Sequence, residues 1–291
     1  MFIVKMHSGL ANRMFQYAFY KYLTASGKEV YIDDNSFLPN REHEINVSIE
    51  NIFHNVNFQR ASRKMINLLS DQRLDYYNKF RRKHLKQFKK SHFKENIFSF
   101  DASIINLTGD YYLDGFWQTE KYFSGIENTI RHNFTFPEYP SKRNRFLAEM
   151  LASENSVAIH VRKGADYMQI KKHTGVCGID YYTKAIDYIN STVENPVFYV
   201  FSDNFDWVNQ NLTNIEHVNV DWNPSVGAYN YLDMQLMACC KHNIIANSSY
   251  SWWAAWLNKN NHKNVIAPNA WFSDDLNNET IDIVPQSWIK I

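Results

Sequence analysis

No apolar run in the 291 residues approaches the ~18 that a membrane-spanning helix needs, so no transmembrane segment is expected. The opening stretch, MFIVKMHSGLANRM, lacks the charged start and long apolar run of a secretory leader. Cysteine is scarce. Cys177, Cys239 and Cys240 are an odd count with no CxxC or Cys/His spacing, which excludes a disulfide framework and a zinc finger. These absences predict a cytoplasmic protein with reduced, buried thiols. An excess of one charge is missing too: 31 Lys+Arg against 30 Asp+Glu leave +1, far from the basic balance of a general nucleic-acid binder. There is no GxxxxGK, no GxSxG, no HExxH and no GxGxxG. A P-loop, a nucleophile elbow, a zincin helix and a dinucleotide fingerprint are thereby excluded.

What the sequence does have is ordinary globular bulk and many rings. A 45% apolar and 21% charged composition excludes disorder, collagen and coiled coil. At ~150 residues per domain the length predicts two domains, or one large α/β domain. The 16% aromatic content, with 20 Phe, 18 Tyr and 8 Trp, fits either a large core or surfaces that pack against sugar rings.

Apolar spacing gives the organisation. Phe2–Met6 reads as a strand and His7–Gly9 as a turn. From Asn12, the positions Met14, Phe15, Ala18, Phe19, Tyr22 and Leu23 recur at helical spacing, Gly27 closes the helix, and Glu29–Ile32 is the next strand. The basic run Lys79–Lys94 (KFRRKHLKQFKKSHFK) has Phe80, Leu85, Phe88 and His92 at spacings that predict one helix face. It reads as a solvated helix or as a contact for an anionic surface. Phe136–Pro140 reads as a linker. Beyond it, strands are predicted at Val157–Val161, Val197–Phe201, Val218–Trp222, Ile244–Ala246 and Val265–Ala267. Helices are predicted at Ile179–Ile189, from Asn204, at Tyr231–Cys240 and at Ser249–Leu257. Alternation at this spacing predicts a doubly wound parallel sheet, which binds ligands beyond the carboxyl ends of its strands.

Reading those strand ends gives Ser8–Arg13, Arg162–Asp166, Ser202–Asn204 and Asn247–Ser251. An arginine can fork a phosphate, and Ser248 and Ser249 open a helix whose first N–H groups attract anions. Each piece alone has a plain explanation. An Arg after a strand is usually a surface residue, Ser-Ser before a helix an N-cap, and His160 a satisfied core histidine. Their coincidence at one predicted sheet edge points to a phosphorylated ligand. The absence of any D-x-D predicts that the phosphates are held by Arg and a helix dipole instead of a divalent ion.

These segments resemble the α-1,2-fucosyltransferases of glycosyltransferase family 11. Ser8–Ala18 is similar to that family's GGLGNQMFQYA segment, and His160–Tyr167 to its HxRRxDY segment. Phe201–Trp207 is similar to FSDDxxW, and Asp233–Leu257 to DxxLMxxCKHNIIxNSxFSWWGAWL; Gly115–Phe123 also looks familial. The chain departs from the pattern at Ala11, at Arg13, at Lys163, and by one extra residue before Asp166.

The resemblance implies an α/β, GT-B-like architecture of two facing Rossmann-like domains. Residues 1–149 would form the acceptor side and 150–291 the GDP-fucose-binding side, with the end of the chain crossing back. It implies inverting, metal-independent transfer of L-fucose from GDP-β-L-fucose to the 2-OH of a galactoside. No cofactor beyond this donor is expected. The acceptor would be a galactose-terminated oligosaccharide, lipid-linked at the cytoplasmic face, with peripheral contact to an anionic membrane and no nucleic acid. Catalysis falls on Arg162, Asn12 and Asp166; donor binding falls on His160, Arg162, Ser202, Asp203, Asp233, Asn247, Ser248, Ser249 and Tyr250, with His160 and Asp233 reading guanine. No metal ligand is expected. The general base stays open among Asp166, His173, Asp114 and Glu120. Another sugar nucleotide on this fold, a non-catalytic glycan-binding protein, and a basic RNA- or membrane-surface protein are the alternatives.

Overall fold

The computed structural model describes residues 1–34, 48–72, 75–86, 88–273 and 280–291. They form two units, Met1–Thr135 and Phe136–Ile291. A boundary at 149/150 would cut the helix Lys142–Ser153, which buries Leu147 and Leu151 and is capped by Ser141. The division falls instead at the Pro-flanked stretch read as a linker, and Gln235 Nε2 donates to the Pro137 carbonyl (2.8 Å) at its start.

In the first unit, strands β1 (Phe2–Lys5), β2 (Val30–Asp33), β3 (His92–Lys94) and β4 (Tyr111–Asp114) form a parallel sheet of order β2-β1-β4-β3. Helix Leu10–Ala25 links β1 to β2 and buries Met14, Phe15, Ala18, Phe19 and Leu23 of the predicted face, while Tyr22 is only half-buried. Gly27, at φ +77°, turns the chain out of it.

The basic run is not one helix. A helix spans Tyr76–His84, Lys86 takes φ +50°, and His92–Lys94 becomes edge strand β3; Gln87 lies outside the described residues. Asp71 explains the break. Its carboxylate holds Arg81 and accepts the Lys89 N–H (2.5 Å), while its own N–H donates to His92 Nδ1 (2.8 Å). That set of bonds folds the run back on itself, and Phe80, Leu85 and Phe88 are exposed instead of sharing a packed face.

The second unit is a six-stranded parallel sheet. Its strands are β5 (Ser156–Val161), β6 (Val197–Ser202), β7 (His217–Asn219), β8 (His242–Ile244), β9 (Val265–Ala267) and β10 (Ile289–Lys290), in order β10-β9-β8-β5-β6-β7. The chain end does not cross back: β10 pairs with β9, Ile289 beside Ile266. The strand predicted at Val218–Trp222 is shorter, and Trp222 lies under the Arg143 guanidinium at 3.4 Å. Val157, Ile159, Val200 and Ile244 pack against Tyr182, Ile186 and Ile189. Trp252 and Trp253 are fully buried in helix Ser249–Leu257, and the Trp252 indole N–H reaches the Ile283 carbonyl (2.7 Å). The tryptophan rings of that helix are therefore core and not sugar platforms. The α/β, GT-B-like expectation of two Rossmann-like units holds.

Strand order also marks where candidate sites lie. In the second unit the chain runs β5-β6-β7 to one side, then returns to β8-β9-β10 on the other, so the switch point lies between β5 and β8. In the first unit it lies between β1 and β4. Ligand crevices form outside the carboxyl ends of strands at such points.

Candidate functional site

Arg162 follows β5. Its guanidinium is ion-paired with Asp203 at the end of β6 and with Asp166 (2.6 Å). Asp203 also accepts the Lys163 N–H (2.7 Å), and Asn204 donates to the Lys163 carbonyl (3.1 Å). Gly164 lies so close that an added Cβ would collide with the Asp203 carboxylate. The loop is thus strapped to the next strand, and Arg162 is held in one orientation. Asp166 is a mostly exposed partner that solvent screens, so the pair can open for a ligand. Lys163, which replaces an expected arginine, points elsewhere. It is buried, with its ammonium 5.1 Å from the Trp207 ring centroid, and burial lowers its pKa.

Across the switch point, Ser248 caps helix Ser249–Leu257 by accepting the Tyr250 N–H (3.3 Å). His160 Nδ1 lies 2.8 Å from Ser251 Oγ, and that hydroxyl also reaches the carbonyls of Ala246 and Ser248 (both 3.4 Å). If the hydroxyl donates to a carbonyl, it accepts from Nδ1–H, which leaves Nε2 as an acceptor. Burial pushes the imidazole pKa down to about 4, so His160 is neutral.

Asp233 opens helix Leu232–Cys239. Its Oδ1 accepts from Asn223 (2.8 Å), Asn223 is held by Asn144 (2.8 Å), and Asn144 accepts from the Trp222 indole (2.7 Å). Among the described residues Oδ2 has no hydrogen-bond partner. Burial pushes its pKa up to about 7. Tyr250 joins the two halves of the site: its hydroxyl accepts the Met234 N–H (2.9 Å) and donates to the Asn230 carbonyl (2.7 Å), and its ring lies 5.9 Å from His160.

Three residues predicted to touch the ligand have side chains committed to the scaffold. Ser202 donates to the Val161 carbonyl (3.0 Å). Buried Asn247 donates to the carbonyls of Trp271 (2.9 Å) and His173 (3.3 Å), and its Oδ1 takes the Cys177 thiol (3.4 Å). The third is Tyr250, whose hydroxyl is taken by Met234 and Asn230. His173 stacks between Tyr167 and Phe272 at 4.9 and 5.3 Å, and burial, helped by Lys172 and Arg162, lowers its pKa.

The first unit's switch point carries its own polar cluster. Ser8 takes φ +68°, a conformation glycine favours, and the buried Arg13 locks it by donating to its carbonyl (2.8 Å). Gln16 bridges the two loops, accepting the His7 N–H (2.9 Å) and donating to the Gly115 carbonyl (3.0 Å). Asn12 accepts from Gln118 (2.7 Å). Burial would raise the Asp114 pKa, but His92 and Lys5 (3.0 Å) outweigh it and hold it at about 2, so Asp114 is a weak base. Glu120 faces the charge of Arg131. Glu95 was not foreseen. It accepts the N–H groups of Phe116 (2.6 Å) and Trp117 (3.3 Å), and burial pushes it up to about 7. No spacing rule ties it to Gly115–Phe123; only the pairing of β3 with β4 brings them together.

The profile of Glycosyl transferase family 11 matches residues 1–291. This chain belongs to glycosyl transferase family 11. It is 30% identical over 301 residues to an alpha-1,2-colitosyltransferase of Escherichia coli, covering 99% of this chain and 98% of that one. It is 41% identical over 140 residues to the O-antigen biosynthesis glycosyltransferase WbnK of Escherichia coli, covering 47% and 45% of the two chains. Among solved structures, the fucosyltransferase NodZ from Bradyrhizobium shares the fold, with TM-score 0.50, 16% identity and coverage of 87% and 91%. As a family 11 member the chain is a glycosyltransferase, and its α/β fold of parallel sheets is shared with NodZ. No helix among the described residues is long and apolar enough to cross a membrane.

Proposed function

We propose that the protein is an inverting galactoside α-1,2-fucosyltransferase that takes L-fucose from GDP-β-L-fucose without a metal ion. The observation that carries this reading is the joining of Arg162, the N-terminus of helix Ser249–Leu257 and the half-partnered Asp233 at one sheet edge, with Tyr250 as the link. A carboxylate with one open oxygen suits guanine, whose N1–H and N2–H form a donor pair that adenine lacks. His160, neutral and with an acceptor nitrogen, suits the same base.

Inversion needs one in-line displacement through an oxocarbenium-like state. The C1–O bond to GDP breaks as the acceptor oxygen bonds to C1, the acceptor's hydroxyl proton passes to water, and the departing diphosphate gains charge. Arg162 forks that charge, Asp203 holds the fork in place, and the first-turn N–H groups beside Ser248 and Ser249 add the helix dipole. Asp166 exchanges its share of Arg162 for the phosphate. Asn12, at the edge of the first sheet, positions the acceptor with Gln118. Met1–Thr135 serves the acceptor and Phe136–Ile291 the donor, with Asn144 behind Asp233. The acceptor is a galactose-terminated oligosaccharide on a lipid carrier, which places the enzyme in the cytoplasm against an anionic membrane.

A second reading is favoured by the colitosyltransferase relative: GDP-colitose, whose sugar is fucose without its 3-hydroxyl, as donor. The deciding experiment offers GDP-fucose, GDP-colitose and other sugar nucleotides with β-galactosides and reads the linkage by NMR. An α-1,2-fucosylated product is expected. Transfer of colitose alone selects the second reading, and no transfer from any GDP-deoxyhexose overturns both.

A further inference from the structure

Charge is unevenly placed along this chain. Residues 60–94 hold twelve Lys/Arg and two Asp, while the whole chain stands at +1, so the remainder is acidic. Part of this basic charge serves the fold. Arg81 pairs with Asp71, Arg60 pairs with Asp34 (2.9 Å) and Glu50, and the Lys89 ammonium donates to the carbonyls of Asn67 (2.7 Å) and Leu68 (2.8 Å). These bonds draw the end of helix Arg63–Leu69, helix Tyr76–His84 and the turn before β3 together around Asp71.

The outside of this assembly is unusual. Helix Tyr76–His84 buries no residue. Tyr76 is 86% exposed, Tyr77 69%, Phe88 64%, Leu68 63% and Leu85 52%. Lys79, Lys83, Lys86 and Lys90 are exposed among them. Single exposed apolar side chains need no explanation, but five within one basic assembly do.

We propose that this surface docks the protein on an anionic lipid bilayer, with the lysines attracted to the headgroups and the tyrosines, Phe88, Leu68 and Leu85 entering the interface. Lysine-rich polar faces beside aromatic and aliphatic groups are what interfacial helices present to such a surface. Lipid is favoured over nucleic acid by the two leucines: bases stack on aromatic faces, and a stacking platform has no use for exposed aliphatic chains. The surface deepens the membrane contact of the fucosyltransferase reading and does not depend on which donor is used.

The test is flotation of the full chain with phosphatidylcholine vesicles and with vesicles that also contain phosphatidylglycerol, at low and high salt. Wild type should float only with the anionic vesicles. Lys79, Lys83, Lys86 and Lys90→Gln should lower binding about tenfold or more at low salt. Tyr77, Leu85 and Phe88→Ser keeps the charge, yet should lose the binding that survives high salt. None of these side chains is buried, so all three proteins should share one thermal unfolding midpoint, which separates lost docking from lost folding. Failure of wild type to float, or equal flotation of wild type and both variants, overturns the proposal. So does a wild type that binds RNA as tightly as vesicles and whose serine variant floats normally.

Discussion

Asp233 is a carboxylate that the fold holds at a cost. A free aspartate titrates near 3.9, whereas burial puts this one at about 7. Each tenfold change in proton affinity is worth about 1.4 kcal/mol, so the displacement amounts to about 4 kcal/mol, an upper bound because Asn223 relaxes around the charge. The sign follows from proton uptake. Between the two pKa values the folded state binds the proton and the unfolded state does not, so stability falls as pH rises from about 4 to about 7. Below that window both states are protonated and the contribution vanishes. Asp233→Asn keeps the shape without the charge and can still accept from Asn223. The variant should therefore match wild type near pH 4 and gain on it progressively, by up to ~4 kcal/mol at pH 8. Urea unfolding at a series of pH values measures this directly. Binding should move the other way: wild-type affinity for guanosine should rise as pH passes through about 7, and the variant should bind weakly throughout. A stability difference that is constant with pH would refute the titration argument. Unchanged guanosine affinity in the variant would leave Asp233 as a structural group of the helix start.

Arg162→Ala should lower turnover on the order of 10²–10³, and Arg162→Lys should recover little of it because the fork is lost; near-wild-type turnover in the alanine variant removes the leaving-group role. Gly164→Ala should displace the Asp203 carboxylate and lower turnover through Arg162, with melting temperature hardly changed; full activity would mean that the strap does not position the arginine. Transfer should survive EDTA, and loss restored by Mg²⁺ or Mn²⁺ would replace the arginine-and-dipole account with a metal. Trp252→Ala should cost roughly 3–5 kcal/mol in unfolding experiments, since a fully buried indole and its bond to Ile283 disappear together.

The sheet of the second unit was legible because its strands are short apolar runs and its helices follow at regular spacing. Helix Ser249–Leu257 was found to the residue, since Ser248 is an N-cap by composition and the helix is apolar from Trp252 onward. The basic run misled because helical spacing of Phe80, Leu85 and Phe88 carries no information about Asp71, which breaks the run through tertiary bonds. Arg162 was legible as a strand-end cation; its orientation by Asp203 was not, because the partner comes from another strand. Ser202, Asn247 and Tyr250 share the site's sequence segments, yet their polar atoms hold loops and helices in place. Sequence proximity to a ligand-binding turn does not say which groups face the ligand. Glu95 lay beyond reach for the same reason as the Arg162–Asp203 pairing: strand pairing, not spacing, brings it to the Gly115–Trp117 turn.

A crystal structure of the protein with GDP shows whether the β5/β8 switch point holds the nucleotide diphosphate. Diphosphate oxygens are expected within hydrogen-bond distance of Arg162 and of the first N–H groups of helix Ser249–Leu257, with guanine N1–H and N2–H on Asp233. GDP seated at the β1/β4 edge, or bound with Arg162 still closed on Asp166 and remote from the phosphates, would contradict this placement.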